Sequence, residues 1–259
     1  MGERTEYRPG TFCWTDLTTT DQEAAKEFYG GLFGWQAEDI PVGEGIVYSM
    51  MRLDGRDVAA ISPQPEELRE IGAPPTWNSY VSVGDADAAA ARAEELGAEL
   101  QGEPFDVFDS GRMVVMRDPH GASVFVWEPR DHAGARLVNG AGALSWNELA
   151  TPDLDGSATF YRELFGWTTE PLPDSPQPYL MIRNGDANNG GMREIDPPGM
   201  PPYWLVYFGS DDVGAGLNRV DELGGVVLAG PIDIQMGSVG VAQDPQGGVF
   251  ALYAGEFEP

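Results

Sequence analysis

Cysteine and histidine are almost missing from this chain, and basic residues are few. Of 259 residues one is cysteine (Cys13) and two are histidine (His120, His132), while 15 lysines and arginines face 42 aspartates and glutamates. A single cysteine excludes an internal disulfide and any zinc site built from several thiolates. No stretch reaches the roughly 18 consecutive apolar residues that span a bilayer, and no basic-then-apolar leader opens the chain. These absences predict a cytoplasmic protein. A net charge of −27 repels phosphate backbones and anionic lipid, so nucleic-acid and membrane partners are not expected. The same field could steer cationic ligands, although the acids are spread along the chain as on any solvated surface.

What the chain does contain is repetition. "FCWTDLTTTDQEAAKEFYGGLFGW" (residues 12–35) returns without a gap as "LSWNELATPDLDGSATFYRELFGW" (144–167). Residues 74–100 align with 201–227, and 109–127 with 235–253. Two domains follow, over residues 1–132 and 144–259, joined by the glycine-rich linker 133–143. Within each half the pattern reads strand, helix, then strands, twice over. "GTFCWTDL" alternates as a half-buried strand does. The helix after it has Asp21 as its N-terminal signal, Phe28, Leu32 and Phe33 as an apolar stripe, and Gly34 to stop it.

These motifs resemble the vicinal oxygen chelate superfamily, which includes glyoxalase I, bleomycin-resistance proteins and extradiol dioxygenases. The resemblance rests on D-x6-F-Y-x2-L-F-G-W (Asp21 to Trp35, Asp153 to Trp167) and on the D-P-x-G turn before the last strand of each half (Asp118 to Gly121, Asp244 to Gly247). The overall organisation is similar to two-domain actinobacterial proteins of the glyoxalase-like "hydroxylase" type. It implies an α+β fold: two tandem domains, each of two βαβββ modules forming a cup-shaped mixed sheet. It also says where metal-using members keep their ligands. A first histidine would stand at Trp14 and Trp146, a second at Asn78 and Leu205, and a glutamate at Phe125 and Ala251. None of these side chains is a ligand of that kind, so no metal and no other cofactor is expected. His120 in a turn and His132 in the boundary loop 131–143 are expected to face solvent. No glycine-rich phosphate loop appears.

If the former ligand positions still face inward, alternation places Phe12, Trp14, Asp16, Asn78, Tyr80, Phe125 and Trp127 in the first cup. The second cup would hold Leu144, Trp146, Glu148, Leu205, Tyr207 and Tyr253. The competing expectation is that these aromatics simply fill the cups as core. Asp16 and Glu148, two residues beyond each tryptophan, are the candidate acid/base groups, with a strand-end ion pair as the alternative role. The lining suits a hydrophobic or aromatic small molecule, for instance a secondary metabolite or antibiotic held for sequestration, resistance or biosynthesis. The alternatives are a metal-free enzyme or oxygenase-accessory protein, and a glyoxalase-like detoxification enzyme. Duplication within one chain is compatible with a monomer or a homodimer.

Overall fold

The computed structural model describes residues 2–43 and 45–257. In the first half, strands β1 (Gly2–Glu3) and β2 (Phe12–Thr19) lead into helix α1 (Gln22–Phe33). Strands β3 (Gln36–Gly43), β4 (Ile46–Leu53) and β5 (Arg56–Pro63) follow, then the short helix α2 (Glu66–Glu70). The second module has β6 (Thr76–Ser82), α3 (Ala86–Glu95), β7 (Glu99–Leu100), β8 (Phe105–Val107), β9 (Gly111–Arg117) and β10 (Ser123–Pro129). After β11 (Leu137–Val138) the second half repeats the scheme with β12 (Leu144–Thr151), α4 (Leu154–Phe165), β13 (Thr168–Pro171), β14 (Tyr179–Asn184) and β15 (Ala187–Glu194). It ends with β16 (Tyr203–Gly209), α5 (Val213–Glu222), β17 (Val226–Ile234), β18 (Gly237–Gln243) and β19 (Val249–Gly255).

Each half builds one mixed sheet. The first runs β3-β4-β5-β2-β6-β10-β9-β7, and the second runs β13-β14-β15-β12-β16-β19-β18-β17. In each, the opening strands of the two modules pair antiparallel, β2 with β6 and β12 with β16. Each of these strands then takes the last strand of its own module as a parallel neighbour on its other side. The linker is not bare: β11 pairs with both β1 and β12, which draws the N-terminal strand onto the second half's sheet.

Local chemistry fixes the helices. Asp21 and Asp153 accept hydrogen bonds from the backbone N–H of Ala24 and Gly156, and Gly34 and Gly166 close α1 and α4 in the left-handed region at φ 75° and 73°. Apart from α2, each helix packs an apolar face on the sheet of its own half, and these faces also meet across the halves. One core joins α1 (Phe28, Tyr29) to α5 (Leu217, Val220), with Trp35, Trp77, Phe208 and Phe250 packed between. A second joins α3 (Ala90, Ala93) to α4 (Phe160, Tyr161), with Trp167 and Trp204.

That arrangement leaves the opposite face of each sheet to form its cup, and a register shift decides which residues reach it. Both β2 and β12 carry a bulge between their first residue and the tryptophan two positions on. Simple alternation therefore fails at Phe12 and Leu144. Phe12 lies in the core between the halves, its ring 5.3 Å from Trp167 and 5.0 Å from Trp204, and Leu144 lies in the other interdomain core. Neither lines a cup, contrary to the expectation from period two.

Candidate functional site

The first cup is organised around a buried carboxylate. Asp16 Oδ1 accepts from Asn78 Nδ2 at 2.8 Å, and Oδ2 accepts from Tyr80 OH at 2.7 Å and Tyr48 OH at 3.1 Å. Trp14 Nε1 donates to Tyr48 OH at 3.0 Å, completing a chain from tryptophan through tyrosine to acid. All three donors to Asp16 are uncharged. Burial pushes its carboxyl above the ordinary range, and these hydrogen bonds oppose the shift only in part. Met50, Met113 and Trp127 fill the space around it.

The linker roofs this cup. His132, expected at the surface, is half-buried, with its ring edge-on to Trp14 at 4.5 Å, and its carbonyl accepts from Trp127 Nε1. Burial lowers its pKa from the ordinary imidazole value. Gly134 is required beneath the roof, because a Cβ there would collide with the Cys13 carbonyl. Tyr7 donates to the Ala135 carbonyl at 2.5 Å and ties down the next residue.

The raised pKa of Asp16 gives a testable sign. The fold favours the neutral acid, so this group's stabilising contribution is complete below the unfolded carboxyl pKa near ~4. It is lost as pH rises through the raised folded value. Asp16→Asn removes the titration but keeps the shape. Its stability relative to wild type, read from urea unfolding, should therefore rise as the pH is raised above about 4. The difference between the two proteins isolates Asp16 from Asp244, whose pKa burial also raises and which both proteins retain. A pH-independent difference would show that Asp16 titrates normally.

The second cup repeats the skeleton with one change. Trp146 Nε1 donates to Tyr179 OH at 3.1 Å, and Tyr179 and Tyr207 are both hydrogen-bonded to Glu148. Here, however, the acid has a cation. Arg193 Nε donates to Glu148 Oε1 at 2.7 Å, and Arg193 Nη2 donates to Tyr203 OH at 3.0 Å. The Arg193 side chain is 23% exposed and that of Glu148 9%. Leu205, Tyr207 and Ala251 form the buried floor, while Trp146, Tyr203, Val249 and Tyr253 are only partly covered. An open groove of about 460 Å³ in the 171–180 segment has Tyr179 in its lining. Gln235, in the β17–β18 turn, donates to the Pro173 carbonyl on that segment.

The positions where metal-using relatives keep ligands do not fit a metal. Trp14 and Trp146 spend their only polar hydrogens on tyrosines, Asn78 spends its amide on Asp16, and Leu205, Phe125 and Ala251 carry no donor atom. One carboxylate per cup remains. Among the described residues no group of three or more His, Cys, Asp or Glu side chains converges as a metal site would require.

The structure thus brings together Trp14, Asp16, Asn78, Tyr80, Phe125 and Trp127 in one cup and Trp146, Glu148, Tyr207 and Tyr253 in the other. Sequence reasoning missed Tyr48, Tyr179, Arg193 and the roof around His132. The tyrosines were within reach: each lies on the antiparallel hairpin after the first helix, and Tyr48 and Tyr179 occupy corresponding places in the repeat.

Comparison with known proteins agrees with this architecture. CFP32 of Mycobacterium tuberculosis, provisionally named a glyoxylase, is 45% identical over 255 residues, covering 97% of each chain. The anthracycline biosynthesis protein DauV of Streptomyces sp. strain C5 is 32% identical, with 96% of this chain and 94% of the relative covered. Among solved structures, the Mn(II)-bound glyoxalase of Novosphingobium aromaticivorans superposes with a TM-score of 0.68 at 20% identity, over 97% of this chain and 83% of the other. The 2,3-dioxygenase LapB of Pseudomonas sp. KL28 gives a TM-score of 0.66 at 15% identity, over 98% and 95%. The family model described as the Glyoxalase/Bleomycin resistance protein/Dioxygenase superfamily matches residues 11–125 and 143–252, and the chain belongs to that superfamily.

Proposed function

We propose that this protein is a metal-independent binder of a planar hydrophobic or aromatic small molecule, held in an aromatic-lined cup for sequestration or presentation in secondary metabolism. The observation that carries the reading is the exchange at the former ligand positions. In both halves a tryptophan hydrogen-bonded to a tyrosine stands where metal-using relatives would place a histidine. A rigid tryptophan with its N–H already satisfied presents a stacking face rather than a donor. The names of DauV and DnrV place those relatives in anthracycline biosynthesis, and an anthracycline is a planar fused-ring aromatic. The surface charge of −27 adds long-range attraction for a ligand that also carries an amine.

Two measurements test the reading together. Protein purified without added metal should contain no stoichiometric Zn, Ni, Fe or Mn; one ion per half by elemental analysis would overturn it. Fused-ring aromatics should quench tryptophan fluorescence saturably, whereas aliphatic molecules of equal hydrophobicity should not.

A second reading is favoured by the acids themselves. Asp16 is a buried carboxyl with a raised pKa, and Glu148 sits beside a partly exposed wall, so either could move a proton on a bound ligand. Mass spectrometry of an incubated ligand separates the two readings. A product formed by wild type and lost in Asp16→Asn or Glu148→Gln would make the protein an enzyme. A glyoxalase reaction relies on a metal to stabilise the enediolate, and the residues at the former ligand positions offer no set to hold one.

A further inference from the structure

The two cups share a plan but differ in room and in charge. We propose that the second cup alone takes ligand, and that Arg193 restricts it to planar aromatics bearing a neutral carbonyl or phenol oxygen at the ring edge. This inference rests on the aromatic-cup reading above.

The first cup is already full. Trp14, Met50, Tyr80, Met113 and Trp127 are 3–9% exposed, and the linker lies over them through His132 and Ala135. A ligand there would have to displace a packed tryptophan or lift the linker. At two aligned positions the second cup has the smaller side chain, Val239 for Met113 and Ala251 for Phe125, while Tyr203 stands where the first cup has Thr76. Its tryptophan, Trp146, is partly exposed where Trp14 is buried. The same duplication has therefore produced one packed cup and one with free stacking surface.

Arg193 supplies the chemical selectivity. A guanidinium has five N–H bonds in a planar fork. Three are accounted for: Nε to Glu148, one on Nη2 to Tyr203 OH, and one on Nη1 to the Glu194 carbonyl at 3.2 Å. The remaining two meet no acceptor among the described residues, and the fork is held in one orientation by the other three. An oxygen at the edge of a ring stacked on Trp146 could accept from it.

Charge decides which oxygen. The Glu148–Arg193 pair is neutral as a unit and the whole chain carries −27, so a carboxylate or sulfonate would be repelled at long range with no net cation to meet it. A bare ammonium would find Glu148 already engaged by Arg193, Tyr179 and Tyr207. A carbonyl or phenol oxygen accepts the hydrogen bond without importing charge.

Calorimetric titration of the full chain with three anthracene-core probes tests this: 1,4-dihydroxyanthraquinone, 9-anthracenecarboxylate and 9-(aminomethyl)anthracene. The dihydroxyanthraquinone should bind tightest, at one molecule per chain. Trp146→Ala should abolish the binding, and Arg193→Lys should weaken it about tenfold, because a point charge does not replace the fork. Arg193→Lys retains a cation for Glu148 and guards against loss of fold, and Trp146→Leu does the same for the tryptophan. Two molecules per chain, or binding indifferent to both Trp146 variants, would overturn the choice of cup. Equal affinity for all three probes, or no effect of Arg193→Lys, would overturn the role of Arg193. In each of those cases aromatic binding itself survives. If none of the probes binds, the inference and the reading beneath it both fall.

Discussion

Asp118→Ala is expected to destabilise the protein by about 3–5 kcal/mol, although the residue is in neither cup. Its Oδ1 accepts three backbone N–H groups of its own turn, from His120 (2.9 Å), Gly121 (2.8 Å) and Ala122 (3.0 Å). Its Oδ2 accepts from Tyr161 OH, on the other half, at 3.0 Å, and that hydroxyl accepts from Trp204 Nε1 at 3.1 Å. Alanine would leave three donors without an acceptor, since the Gly121 N–H keeps the backbone carbonyl of residue 118, around a side chain that is 3% exposed. The mirror arrangement joins Asp244 to Tyr29 and Trp77. Tyr161→Phe removes the link between the halves together with the acceptor of Trp204 Nε1, and should cost about 1–2 kcal/mol. Asp118→Ala with Tyr161→Phe should then cost less than the sum of the two, because the tyrosine hydroxyl no longer needs its acceptor. Urea unfolding of the four proteins gives the cycle. Additive losses would mean that the tyrosine and aspartate stabilise their own halves independently.

The same turn shows what the sequence made legible and what it concealed. D-P-x-G and F-Y repeat at fixed places in both halves, so their elements could be located, and the capping roles of Asp21, Asp153, Gly34 and Gly166 followed from local rules. That Tyr29 serves Asp244, and Tyr161 serves Asp118, depends on how the halves pack, which no local pattern encodes. The cup faces were readable wherever strands alternate without interruption, as from Trp14 to Asp16 and from Asn78 to Tyr80. They were misread at Phe12 and Leu144, because a bulge adds a residue that period two cannot see. Tyr48 and Tyr179 escaped because strand order, not periodicity, brings each beside its acid. His132 is the clearest case of tertiary override, since a polar residue in a glycine-rich connection reads as exposed until the connection is folded over the cup. Arg193 was hidden for a related reason. It sits two residues beyond the point where β15 meets Glu148 in parallel register, a pairing between strands more than forty residues apart.

That parallel pairing makes Glu148–Arg193 the most consequential charged contact in the second cup. Arg193→Met should destabilise the protein by about 2–3 kcal/mol, since it leaves the carboxylate largely buried without a cation. The loss falls short of that for a fully buried pair because Arg193 retains 23% exposure. The partner change, Glu148→Gln, keeps the volume and the hydrogen bonds to Tyr179 and Tyr207 while removing the charge, and should cost less. Combining the two replaces an ion pair with a neutral pair of similar size and should recover most of the stability lost in Arg193→Met alone. Thermal unfolding of the three variants at pH 7 measures the coupling. High salt should change it little, because a pair lying below the surface is poorly screened. If Arg193→Met were as stable as wild type, the ion pair would be a surface contact. The exposed fork assigned to ligand recognition would then have no fixed orientation, so the stability of this pair and the selectivity of the cup are two readouts of one geometry.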